Sequence, residues 1–206
     1  MAAWAARRMG LPVARLCIGA NSNDILTRFL ASNDMSMREV VPSLSPSMDI
    51  QVSSNFERLL FELLGRDAPA CARIMTGFRA TGRMNIPGEA WREAGALFSG
   101  TTLDDDATRA EIRALRQATG YFADPHSAIG IAAGRGGAIA GIPTIAMATA
   151  HPAKFPDAML QATGIRPELP PRLADLYERE ERYRVVPNEL EAVEAAVRAA
   201  ILKNAA

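Results

Sequence analysis

Residues 143–155 read PTIAMATAHPAKF. The first six alternate little and are almost wholly apolar, which predicts a buried strand over 143–148. Thr149 would then sit at the carboxyl end of that strand, where open α/β sheets place their ligands. Its hydroxyl could donate to a ring nitrogen or a carbonyl, or cap the helix that Pro152 opens. Both roles stay open at this point. Outward from here the chain alternates helix and strand, and that alternation sets the fold class.

Val13–Ile18 (VARLCI) reads as a second buried strand, closed by the polar loop Gly19–Ser22. The amino-terminal segment before it reads as an amphipathic helix ended at Gly10, with Pro12 just beyond. Asn23 or Asp24 would cap a short helix carrying Ile25, Leu26 and Phe29. Val40–Val41 could form a brief extended piece. Phe56, Leu59, Leu60, Leu63 and Leu64 follow helical spacing, which predicts a core-facing helix from Ser54 to Gly65 with Glu57 completing a capping box. Further helices are expected over 68–80, 87–97, from Asp104–Asp106 to Gly120, from Asp124 to Ala133, and from Pro152 to about Thr163. A last one over 188–202 carries Leu190, Val193, Val197 and Ile201 on one stripe. Helix predominates and the strands are far apart, so the expected architecture is α/β: a partial parallel sheet flanked by helices, with the rest of the sheet in other sequence.

Composition excludes several classes. Acidic and basic residues balance at 23 each, which gives no basic surface for nucleic acid or an anionic membrane. No apolar run reaches a membrane span. The two cysteines, Cys17 and Cys71, have no pairing or metal spacing and fit a reducing, cytoplasmic setting. The glycine run GRGGAIAG at 134–141 follows a helix and leads into a strand. That is the reverse of a dinucleotide fingerprint, so it reads as a loose turn.

Chemistry is concentrated in three loops. One is SPSMDIQVSSNFER at 45–58, rich in hydroxyls and amides around Asp49, Gln51 and Asn55. The second is DPHSAIG at 124–130, with Asp124, His126 and Ser127. The third is ATAHPAKF at 148–155, with Thr149, His151 and Lys154. His126 and His151 are the only histidines, and without nearby carboxylate or cysteine spacing they make no metal site. Acid–base duty in a shared pocket suits their titration near neutrality. Lys154 and Lys203 are the only lysines. A nucleophilic lysine needs burial or a neighbouring cation, for which His151 is slender support.

With ARRMGLPV (6–13), ANSNDILTRF (20–29) and TGYFADPHSAIG (119–130), these loops resemble, in order, the carboxy-terminal part of threonine synthase. The likeness runs to about residue 160; residues 66–103 add little. It implies the tryptophan-synthase-β-like, type II fold of pyridoxal-phosphate enzymes, here a large-domain fragment over 1–206 with a helical tail at 160–206. It implies pyridoxal 5'-phosphate as cofactor and conversion of O-phospho-L-homoserine and water to L-threonine and phosphate.

By position, Thr149 would face the pyridine nitrogen, with Asp124, His126 and Ser127 beside the cofactor ring. Asp49, Gln51, Asn55, His151 and Lys154 would shape the substrate end. In that family the covalent lysine and the glycine-rich phosphate loop lie in the amino-terminal half, and neither string is present here. The chain alone is therefore expected to be inactive and to work with an amino-terminal half; the alternative is a non-catalytic remnant serving as an interaction module. Another type II lyase would share the Thr149 logic but not SPSMDIQVSSNFER.

Overall fold

The computed structural model describes residues 1–204. They fall into two compact units, Met1–Glu168 and a second that begins at Leu169.

The first unit is built on a parallel pair of strands, β1 (Leu16–Ala20) and β2 (Phe98–Thr102), in register from Leu16 opposite Phe98 to Ala20 opposite Thr102. Between them run α2 (Ile25–Ser32), α3 (Ser54–Leu63), α4 (Ala68–Thr81) and α5 (Gly88–Leu97). A crossover of that length is what parallel pairing requires. Before β1 lies α1 (Ala2–Arg8), and after β2 come α6 (Asp105–Thr119), α7 (Pro125–Gly136) and α8 (Pro156–Thr163). Helix-rich α/β with a small parallel sheet is the class that the alternation predicted.

The sheet is covered on both faces, and glycine makes each contact possible. A Cβ on Gly19 would stand 2.8 Å from Ile129 Cγ2 and 2.9 Å from the Ile129 carbonyl oxygen, so β1 lies directly against α7. On the other face, a Cβ on Gly100 would stand 2.8 Å from Thr27 Cγ2, which seats β2 on α2. The Thr27 and Thr102 hydroxyls bond at 2.9 Å on that same side.

Two apolar clusters hold the helices. Phe29, Phe56, Leu60, Met75, Phe78, Met84 and Ile86 join α2, α3, α4 and the loop before α5. Phe29 meets Phe56 edge-on, with ring centroids 4.8 Å apart. Ile112, Ala128, Met159 and Ala162 lock α6, α7 and α8 together. This second cluster matters for function because it anchors the helix whose first turn carries Asp124, His126 and Ser127.

Several local expectations change. The expected strand over 143–148 is absent: residues 141–149 are exposed, and no main-chain hydrogen bond joins 143–148 to another described element. The segment instead runs beside α7, where the Thr144 Cγ2 lies 3.1 Å from the place a Cβ on Gly134 would take. An apolar run supplies strand propensity, but a strand forms only where a neighbour completes its ladder. The strand β2 was not anticipated, because FSGTT mixes hydroxyls and glycine without alternation. β1 starts three residues later than expected, and Val40–Val41 form no strand.

The glycine turn is also corrected, since α7 continues to Gly136. Its Arg135 pairs with Glu111 of α6 at 2.8 Å, which holds the last turn in place. The capping box at Ser54 does not form. Ser53 takes the cap position without a side-chain bond, and Glu57 turns to Arg79 of α4 at 3.1 Å. Pro152–Lys154 is a single tight 3-10 turn, and α8 begins only at Pro156.

The second unit has two short 3-10 turns, Pro171–Leu173 and Leu176–Glu178, followed by α9 (Leu190–Asn204). Leu190, Val193, Val197 and Ile201 of α9 are exposed. No helix among the described residues is long and apolar enough to cross a membrane.

Candidate functional site

Asp124 is the centre of the site. It is the N-cap of α7, and Pro125 follows at the first helical position, where its fixed φ and missing N–H cost nothing. The carboxylate side chain is fully buried. Its Oδ1 accepts from the His126 main-chain N–H at 3.0 Å and from His126 Nδ1 at 2.9 Å, while Oδ2 accepts from the Ser127 hydroxyl. Burial pushes the carboxyl pKa up, but the hydrogen bonds from His126 and Ser127 outweigh it and the net shift is downward. Asp124 is therefore ionised at neutral pH, with both carboxylate oxygens engaged as acceptors.

Each of its two side-chain donors reaches a second loop. Ser127 Oγ accepts from the Thr149 main-chain N–H at 3.3 Å. His126 Nε2 accepts from the Ser47 main-chain N–H at 3.3 Å, and its ring packs on Phe155 with centroids 4.7 Å apart. The 45–51 loop, the 124–127 turn and the 148–155 segment thus converge on the amino end of α7. An Asp–His–Ser set invites a nucleophilic triad, and the geometry excludes that. The serine hydroxyl bonds the carboxylate directly, while the far histidine nitrogen is occupied by Ser47.

The 43–51 loop is shaped from within by Asp49. Its Oδ1 accepts from Asn21 Nδ2 at 2.7 Å, Asn23 Nδ2 at 3.0 Å and Ser43 Oγ at 2.6 Å; its Oδ2 accepts from the Ser43 main-chain N–H at 2.9 Å. Asn21, Asn23, Ser45 and Gln51 are all buried around it. Gln51 is used internally as well, accepting from the Arg38 main-chain N–H at 3.2 Å. Of the two expected caps of α2, Asp24 takes the cap position and pairs with Arg28 at 2.9 Å, while Asn23 belongs to this network.

Thr149 is exposed, and among the described residues its hydroxyl makes no hydrogen bond within the chain. Only its main chain is held, which leaves the side chain free for a ligand. His151 is exposed, and its Nδ1 caps the 152–154 turn by accepting from the Ala153 main-chain N–H at 3.2 Å. Lys154 is exposed, with Nζ 5.6 Å from the centre of the Phe155 ring. Asn55 is exposed in the first turn of α3 and has no hydrogen bond to the cluster. The sequence reading missed Asn21, Ser43 and Phe155. The first two sit in short polar runs that follow or precede an element, where a cap or turn role is the simpler inference.

Among the described residues no group of histidine, cysteine and carboxylate could hold a metal ion.

Comparison with known proteins agrees with the sequence resemblance. Residues 127–197 match the family model "Threonine synthase, C-terminal". A threonine synthase of Pseudomonas aeruginosa is 46% identical over 198 residues, covering 95% of this chain and 42% of the relative. One from Corynebacterium glutamicum is 34% identical, covering 91% of this chain and 40% of its own length. The structure of a pyridoxal-phosphate-bound threonine synthase from Brucella melitensis superposes with a TM-score of 0.87 at 47% identity, over 96% of this chain and 43% of that one. A yeast threonine synthase gives 0.82 at 28% identity over 98% of this chain and 45% of that one. The chain spans about two fifths of the length of the curated relatives it matches.

Proposed function

From the premise that this chain matches threonine synthases over nearly its whole length, and their carboxy-terminal family model over residues 127–197, we propose that it forms one wall of a pyridoxal-phosphate site. The reaction is conversion of O-phospho-L-homoserine and water to L-threonine and phosphate. The observation that carries this reading is the convergence of the three loops at the start of α7, with the Thr149 hydroxyl left free beside them.

The residues fit that cofactor at its ring end. A neutral, unpaired hydroxyl such as Thr149 can donate to a pyridine nitrogen without locking it as a cation, as a carboxylate would. When bound, pyridoxal phosphate supplies a sink for the electron pair left when a proton departs next to the substrate amine. The chain's own residues then have defined tasks. Thr149 orients the ring, Ser127 fixes the Thr149 main chain, and Phe155 and His126 close the side against water. Asp49 and Gln51 shape the 43–51 loop from beneath, with their acceptors already engaged. His151, Lys154 and Asn55 are the exposed polar groups left to meet the substrate end.

We infer that neither lysine is the covalent anchor: Lys154 is exposed, and Lys203 lies outside the three loops that make the site. We therefore assign the anchor and the phosphate cradle to an amino-terminal portion, without which this chain has no activity. The 143–148 segment supports that assignment, because its unpaired main chain and the exposed Ile145 and Met147 offer a strand to a neighbour. The test is Thr149→Val in the assembled two-portion enzyme. Removing the hydroxyl while keeping the shape should lower phosphate release from O-phospho-L-homoserine by about 100-fold, as for loss of one preorganised donor. Unchanged turnover would reduce Thr149 to a bystander.

A further inference from the structure

We propose that Asp124 is a positioning residue, one buried carboxylate that registers all three site loops by fixing the His126 tautomer and the direction of the Ser127 hydroxyl. The inference rests on the proposed function for its purpose, but its evidence is the geometry of this chain.

The hydrogen bonds leave one consistent assignment of protons. A main-chain N–H can only donate, so His126 Nε2 must be bare to accept from Ser47 at 3.3 Å. An ionised carboxylate can only accept, so Nδ1 must carry the ring proton toward Asp124 at 2.9 Å. The same logic fixes Ser127: its one proton goes to Asp124 Oδ2, which turns a lone pair toward the Thr149 N–H. Thus Asp124 touches neither the 45–51 loop nor Thr149, yet it decides whether each finds an acceptor. A serine whose proton pointed at Thr149, or a histidine in the other tautomer, would face an N–H with an N–H or O–H.

Two separate arms follow, one through His126 to Ser47 and one through Ser127 to Thr149. The experiment uses the full chain with 15N-labelled histidine, the His126 signals being assigned against His151→Gln. His126 should be the neutral Nδ1–H tautomer, and Asp124→Asn should shift it toward Nε2–H. Amide exchange at both Ser47 and Thr149 should rise about tenfold, the loss of roughly one hydrogen bond. Ser127→Ala should free Thr149 alone, and His126→Asn should free Ser47 alone. If Asp124→Asn does not fold, these two single-arm variants decide the matter.

An Nε2–H tautomer in the unaltered chain would overturn the proposal. So would variants that loosen all of α7 equally, since Asp124 would then be a helix cap and nothing more. None of these readouts uses cofactor or substrate, so failure of the proposed activity would leave them standing or falling independently.

Discussion

His126 Nε2 accepts the main-chain N–H of Ser47 at 3.3 Å, across 79 positions of sequence. This single bond brings SPSMDIQ to the amino end of α7. The same ring packs on Phe155 of the third loop, with centroids 4.7 Å apart. Two strings that share no secondary-structure element therefore border one place, as a common pocket requires.

Asp124 ties the stability of this junction to pH. Its carboxyl is held below the ordinary aspartate value of about 3.9. A depressed folded pKa means the contribution is complete above about pH 4 and is lost as pH falls through the lower folded value. Unfolding free energy measured by denaturant between pH 6 and pH 2 should fall in that acid window. Asp124→Asn should be less stable at pH 6 and show a flatter slope below pH 4. An identical slope would mean that the carboxylate is not shifted in the folded chain.

Asp49 should behave as structure first. Asp49→Ala strips the acceptor from Asn21, Asn23 and Ser43 together. The Ser43 main-chain N–H loses its acceptor, and the Asn21, Asn23 and Ser43 side chains keep only their other partners, Ser45 and the Val41 carbonyl among them. The loss should cost about 1–3 kcal/mol, read from a shift of the urea midpoint. The 43–51 loop should also become a preferred site of proteolytic cleavage. A variant of unaltered stability would return Asp49 to the substrate-end role that the sequence resemblance implied.

Gly19→Ala tests how closely β1 meets α7. The added Cβ would strike Ile129 Cγ2 and, at 2.9 Å, the Ile129 carbonyl oxygen. Side-chain movement can relieve the first clash but not the second. The substitution should therefore destabilise by about 1–3 kcal/mol, and Ile129→Ala should rescue it only in part. Because α7 carries Asp124 and Ser127, the same variant should disturb the Thr149 amide.

Residues 144–148 should exchange their amide protons freely in the isolated chain, since no main-chain partner is available to them. Addition of an amino-terminal threonine synthase portion should protect them. Protection in the isolated chain, or none on assembly, would remove this segment as the joining strand.

The sequence reading recovered the elements whose signal is periodic or capped. The apolar stripe of α3, the aspartate starts of α6 and α7, and the end of α6 at Gly120 are all local chemistry. It failed where an element depends on a neighbour. FSGTT is a strand because Leu16–Ala20 lies beside it, while PTIAMA has the stronger propensity and no partner. The site followed the same division. Asp124, His126 and Ser127 were legible as a motif, but their contacts with Ser47 and Thr149 are tertiary. So is the turning inward of Asp49 and Gln51, which no local pattern separates from a solvent-facing loop.

The most direct measurement is phosphate release from O-phospho-L-homoserine by this chain alone, and by this chain co-expressed with a lysine-bearing amino-terminal portion of a threonine synthase, both with pyridoxal phosphate. The account predicts no release by the chain alone and steady release by the pair. Turnover by the isolated chain, or a folded pair that binds the cofactor and releases nothing, would contradict it.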